Sequence, residues 1–459
     1  MSVDRSRLPD VGADPSFDFP AIRRHTLANG LAVRTVEHRS APVVTFVLQV
    51  EGGSGADPAG QEGLSALTAD MVDEGTGSLS AIDVSDALSR IGGEYDVEVA
   101  ADVTAFTLTT LARFGDRGAA LLSDIVTRPS LRSSDVERVR QLRLDRLRQL
   151  TDLPPALAER AFLRLLYGDH PYGHLAIGSD TTLRALSEDD VRGFHAAAYR
   201  PSAATLVVAG PPTHDDLAGM AERAFGAWQE PAARPSTIPA SAVTPPASPS
   251  ARLAIVPREG AAQSELRIGH LSASRDTPDY AALLVMNAVM GGQFVSRINL
   301  KLREEKGYTY GARTGFDWRR GPAPFVLQAS VHTASTADAV RDALAELEAI
   351  VGTRPPSDSE LTLAKASLTR GYPRNFETAQ QVARSVAQLA LFGLPDAYFE
   401  EFVPKVQAVT AADVTRAAGR HIDPSRLATL VVGDLTAIRE GLETLGLGAA
   451  QLLAADMVP

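Results

Sequence analysis

The chain repeats itself. LLSDIVTRPSLRSSDVERVR, from Leu121, returns as ELEAIVGTRPPSDSELTLAK, so that Ile125-Val126 falls on Ile350-Val351 and Asp135-Val136 on Glu360-Leu361. Towards the end of each copy, Asp190-Val191 matches Asp413-Val414, Pro201-Ser202 matches Pro424-Ser425, and TLVVAG from Thr205 matches TLVVGD from Thr429. The offsets stay between 223 and 225 residues. Self-similarity held in register over such a distance marks one structural unit used twice. The 459 residues, 44% of them hydrophobic, are enough for two separate cores.

Each copy reads as α+β, with hairpin signals that make its sheet mainly antiparallel. RHTLANGLAVRTVEH, from Arg24, alternates about an Asn29-Gly30 turn, the strongest short hairpin signal. Residues 43–50, rich in β-branched side chains, predict a half-buried strand. Helices are expected over 82–91, 117–126 and 133–150, with strands across 95–111. The copy closes with a capped helix, Arg200-Pro201 and an apolar strand. Between Glu230 and Ser250 the text is Pro, Ala and Ser with almost no large apolar residue, an extended linker. The expected organisation is an arm over 1–20, a domain over 21–229, a linker over 230–250 and a second domain over 251–459.

Residues 61–76 read QEGLSALTADMVDEGT, with Leu64, Leu67, Met71 and Val72 at helical spacing and Gly75 as the stop. This frame resembles the signature helix of the M16 family (insulinase, pitrilysin, mitochondrial processing peptidase), whose inverted zinc motif is His-x-x-Glu-His. Two further stretches are similar to that family: ERVRQLRLDRL, from Glu137, and GGQFVSRINLKLREEKGYTYG, from Gly291. The resemblance implies two homologous M16-type (LuxS/MPP-like) domains, each a mainly antiparallel sheet covered by helices. It also implies two such chains closing around a peptide chamber. It places the family's first His on Ala66, its general-base Glu on Ala69, its second His on Asp70 and its distal Glu ligand on Arg146. Catalytic zinc takes three protein ligands and keeps a position for water. Two alanines, one aspartate and an arginine do not make such a site, so no metal is expected in this chain and zinc is expected in a partner subunit.

The helix over 133–150 carries Arg138, Arg140, Arg143, Arg146 and Arg148. A solvated face is the plain reading; contact with an acidic partner and occupation of the former metal position are the others. His170 and His174 stand four apart, but Pro171 and Gly173 between them oppose a helix, so a turn with locally hydrogen-bonded imidazoles is expected. A relocated metal site would have to use Asp70, Asp73 and Glu74 with His170 or His174.

In the second half, Thr277-Pro278 is the expected start of a helix, and a second helix over 294–306 stops at Gly307. The strand that follows would carry Tyr308 and Tyr310 on one face. The family resemblance implies that Arg303 and Tyr310, seven apart, reach a substrate held at the partner's metal; Tyr308 is the alternative phenol. A guanidinium and a phenol O–H can donate to substrate carbonyls and to a forming oxyanion. The plain alternatives are a surface Arg303 paired with Glu304 or Asp317, and Tyr310 at a core edge.

The reading is therefore a non-catalytic, substrate-binding subunit of a heterodimeric M16B zinc metallopeptidase. It would be inactive alone and would bind peptide or precursor-peptide substrates. The alternative is a structural, core-protein-type assembly subunit. A net charge of -11 disfavours nucleic acid. The absence of cysteine removes thiolate ligands, nucleophiles and disulfides. No run of about 18 apolar residues occurs. The N-terminus matches neither a secretory nor a transit pattern, so a cytoplasmic location is expected.

Overall fold

Val43–Val50 is buried on nearly every residue instead of on alternate ones, because helices cover both faces of its sheet. In this computed structural model the described residues are 12, 17–230 and 242–454. Most of the arm expected over 1–20 and the middle of the linker expected over 230–250 lie outside them.

The first sheet has six strands in the spatial order Ile22–Thr26, Ala32–Glu37, Ala204–Gly210, Val43–Val50, Thr104–Leu111 and Glu94–Val99. All neighbours are antiparallel except Ala32–Glu37 with Ala204–Gly210. The expected hairpin is present: Ile22 pairs with Val36, and Asn29 Nδ2 anchors the turn on the carbonyls of Phe225 (2.8 Å) and Trp228 (2.9 Å). The second sheet runs Thr309–Phe316, Pro324–His332, Gln263–Leu271, Ala428–Gly433, Leu253–Pro257 and Gln451–Leu452. Five of its strands repeat the first sheet's order, including the parallel pair. The two sheets differ at the edge beyond that pair, which is an N-terminal antiparallel strand in one and a C-terminal parallel strand in the other.

One face of each sheet carries its own half's helices over a large aliphatic core. The other face is covered by a helix from the opposite half. Pro154–Tyr167 lays Leu157, Ala161, Leu165 and Leu166 on Ala254, Val256, Leu430 and Val432. Ala379–Leu391 lays Ala379, Val382, Ala383 and Val386 on Val36, Val47, Val207 and Ala209. These two helices begin at the offset of the repeat, so the duplicated units exchange equivalent elements. Both faces of the central strands are therefore dry, and their sequences read as near-continuous apolar runs.

The ends of the linker and arm are engaged. Ser250 N–H donates to Leu165 O (3.2 Å), and Phe19 packs among Phe376 and Phe399. Among the described residues, no helix is long and apolar enough to cross a membrane.

Candidate functional site

The helix from the 61–76 stretch spans Leu64–Met71 and ends a turn before Gly75. Its first turn is held from outside. The buried carboxylate of Asp57 accepts from Gly63 N–H (2.8 Å) and Ser65 N–H (2.6 Å), satisfying donors that a helix start leaves open. Burial pushes the Asp57 carboxyl up to about 6, against the opposing pull of His174 (4.0 Å) and the two N–H groups. Gly63 has φ +101°, and a Cβ there would meet Gly178 Cα at 2.9 Å, so no larger residue fits that close approach.

Ala66 and Ala69 are buried against the core and carry no donor atom for a metal. Asp70 is bound by Arg143, whose other terminal nitrogen donates to Ala176 O (3.0 Å). Arg146, expected at the distal ligand position, donates to Gln149 (3.3 Å) and lines the same depression of about 380 Å³. The cation that meets Asp70 is thus Arg143. Glu74 pairs with Arg138. Asp73 has its carboxyl pushed up to about 6 by burial, with Glu74 and Asp70 adding repulsion. This donor set does not fit zinc, because its carboxylates face arginines and its helix offers methyl groups where ligands would stand. Among the described residues no three His, Cys, Asp or Glu side chains gather so as to hold a metal ion.

The remaining arginines of Ser133–Thr151 are also engaged: Arg140 with Glu137 and Leu186 O, Arg148 with Asp145. His170 and His174 lie in turns. His170 Nδ1 accepts from Tyr172 N–H (3.0 Å) while Nε2 donates to Val243 O (3.0 Å), and His174 Nδ1 is 3.2 Å from Leu175 O.

In the second half the first helix spans Tyr280–Met290, starting later than expected, and Thr277 Oγ1 accepts from Asp279 N–H (3.3 Å). The expected helix over 294–306 is a short turn, Arg297–Asn299, widening into a π-helical turn, Leu300–Glu305. Arg297 fixes its start with a bidentate pair to Glu360 (2.7 and 2.9 Å), holding that carboxyl down at about 2. Gly307, φ +64°, ends it in the left-handed conformation.

The strand Thr309–Phe316 opens with a bulge between Thr309 and Ala312. Thr309 Oγ1 accepts from Gly311 N–H (3.1 Å) and donates to Ser330 O (2.7 Å). The bulge breaks the expected alternation. Tyr308 packs against the core, whereas Tyr310 is 89% exposed. Arg303 sits on the π turn, 3.5 Å from Glu304 and with its guanidinium 4.0 Å from the centre of the exposed Phe294 ring. Asp317 pairs instead with Arg319 (2.7 Å). Asp57 carries no motif signal, and although Arg143, Arg297 and Asn299 lie within the quoted stretches their roles do not show there, since each acts through a contact distant in sequence or on backbone.

Two sheets of one topology and the exchanged helices define a duplicated α+β protein whose sheets are covered by helices. Residues 32–179 match the model of "Insulinase (Peptidase family M16)" and residues 185–368 that of "Peptidase M16 inactive domain". The chain belongs to the M16 family. An uncharacterized zinc protease of Mycobacterium tuberculosis is 26% identical over 92% of this chain and 95% of its own. A peptidase M16 inactive domain from Pseudomonas fluorescens superposes with a TM-score of 0.83 at 22% identity, covering 90% of this chain and 98% of that one. A protease from Helicobacter pylori gives 0.84 at 19%, covering 91% and 100%. The two structural likenesses concern the fold alone.

Proposed function

We propose that this chain is the zinc-free, substrate-binding subunit of a two-chain M16 peptidase. It supplies half of the peptide chamber and the donors Arg303 and Tyr310, while a partner chain supplies zinc and the general base. The observation that carries the reading is Tyr310. Its phenol stands almost wholly in solvent, on a bulge fixed by Thr309 and Asn299, where its O–H can donate to a carbonyl brought against this face. The replaced ligands at Ala66, Ala69, Asp70 and Arg146 support the division of labour. Arg303 already engages Phe294 and Glu304, which favours a second reading as an assembly subunit without a role in proteolysis.

The deciding experiment pairs the purified chain with a zinc-bearing M16 chain from the same genome and measures peptide turnover. Alone, the chain is expected to hold no stoichiometric zinc and to cleave nothing. In the pair, Arg303→Ala and Tyr310→Phe are each expected to lower turnover by on the order of 100-fold, the usual loss for one transition-state donor, with assembly unchanged by size-exclusion chromatography. Full turnover in both variants would select the assembly reading.

A further inference from the structure

Behind the exchanged helix Ala379–Leu391 lies a cavity of about 410 Å³ with an aromatic wall that includes Tyr280, Trp318, Tyr372, Phe392, Tyr398 and Phe402. Arg275, only 7% exposed, lines it. Its guanidinium lies 3.5 Å from the Tyr280 ring centre and 5.1 Å from that of Tyr398, and Nη2 donates to the Tyr398 hydroxyl (2.8 Å).

Of the other buried arginines, Arg267, Arg297 and Arg319 each hold a carboxylate, Glu265, Glu360 and Asp317, and Arg160 donates to Gly178 O (2.9 Å). Arg275 pairs with no carboxylate among the described residues, and neither Asp nor Glu lines the cavity. Stacking on aromatic faces offsets part of a guanidinium's lost hydration. Beyond the Tyr398 hydroxyl, no protein acceptor among the described residues takes the Arg275 guanidinium N–H groups, which leaves them to solvent or a ligand.

We propose that this cavity binds a small anionic amphiphile, a carboxylate on an apolar chain or ring. The carboxylate would sit on Arg275, and the apolar body among Tyr280, Trp318 and Phe392. The volume suits a small ligand, and Asn375, Ser385 and Gln388 offer further polar contacts at the wall. With no acid in the lining, an ammonium group finds no counter-charge. None of these residues belongs to the Arg303 and Tyr310 face, so the inference stands apart from the proposed peptidase role.

Calorimetric titration of the full chain tests it, with decanoate, decylammonium, and an acetylated tetrapeptide ending in Phe as free acid or amide. Decanoate or the free-acid peptide is expected to bind at on the order of 10–100 µM, from the efficiency usual for ligands of that size. Decylammonium and the amide should bind at least about 10-fold more weakly. Binding of decanoate alone supports a free fatty acid as the source, and binding of the free-acid peptide a chain terminus. Arg275→Met should weaken binding at least about 10-fold. Ser385→Trp, which fills the cavity and leaves Arg275 intact, should abolish it in a protein of unchanged circular dichroism. The proposal is overturned if neither anion binds below about 1 mM, if decylammonium binds equally, or if binding survives Ser385→Trp.

Discussion

Asn299 holds Ala312 by both of its backbone groups, donating from Nδ2 to the carbonyl (2.7 Å) and accepting the amide N–H on Oδ1 (2.9 Å). The same Nδ2 reaches Ser296 Oγ (3.1 Å). One buried side chain thereby ties the turn that carries Arg303 to the bulged strand that carries Tyr310. Removing it leaves buried backbone groups unpaired, so Asn299→Ala should destabilise the fold by about 2–4 kcal/mol. A urea midpoint at the wild-type value would show that water replaces the amide.

The position that the M16 resemblance assigns to a metal should resist simple restoration. Ala66→His, Ala69→Glu and Asp70→His together would return two ligands and a base, yet Arg143 and Arg146 would still face them. This triple variant is expected to hold less than one equivalent of zinc by elemental analysis, and addition of Arg146→Glu to raise it towards one, because catalytic zinc needs the third ligand. Stoichiometric zinc in the triple variant would show that the arginines swing clear.

Much of this was legible because the decisive signals are local. Helical spacing placed the Leu64–Met71 helix, and the in-register repeat predicted two units of one fold. Which arginine meets Asp70 was not legible. Five of them lie on one helix, and the choice of Arg143 over Arg146 depends on how that helix is rotated against its neighbour. Nor could alternation reveal that Tyr308 and Tyr310 part company, since the bulge arises from the Thr309 hydroxyl turning back on Gly311.

Asp73 should make stability depend on pH. Its folded carboxyl titrates at about 6, against roughly 3.9 when unfolded. Between those values the folded state keeps a proton that the unfolded chain has lost, so stability falls as pH rises through that window. Asp73→Asn is therefore expected to stabilise by about 1–2 kcal/mol at pH 8, allowing for partial solvent screening, and by nothing near pH 3.5. A thermal midpoint shift equal at both pH values would refute this titration.

The exchanged helices predict how the chain tolerates division. Without Pro154–Tyr167, the Leu253–Pro257 and Ala428–Gly433 strands would expose Ala254, Val256, Leu430 and Val432. Without Ala379–Leu391, the first sheet would expose Val36, Val47, Val207 and Ala209. Each bared valine or leucine forgoes about 1.5–3 kcal/mol of burial, and the combined loss is comparable to the whole stability of a typical domain. Residues 21–229 and 251–459 produced separately should each be aggregated or unfolded by circular dichroism, and should regain native structure when refolded together. At single-residue scale, Leu166→Ala and Val386→Ala each lie in one half and should loosen the sheet of the other. Amide exchange should rise in Ala428–Gly433 for the first and in Ala204–Gly210 for the second. Faster exchange confined to the mutated half would mean that the two helices do not couple the sheets.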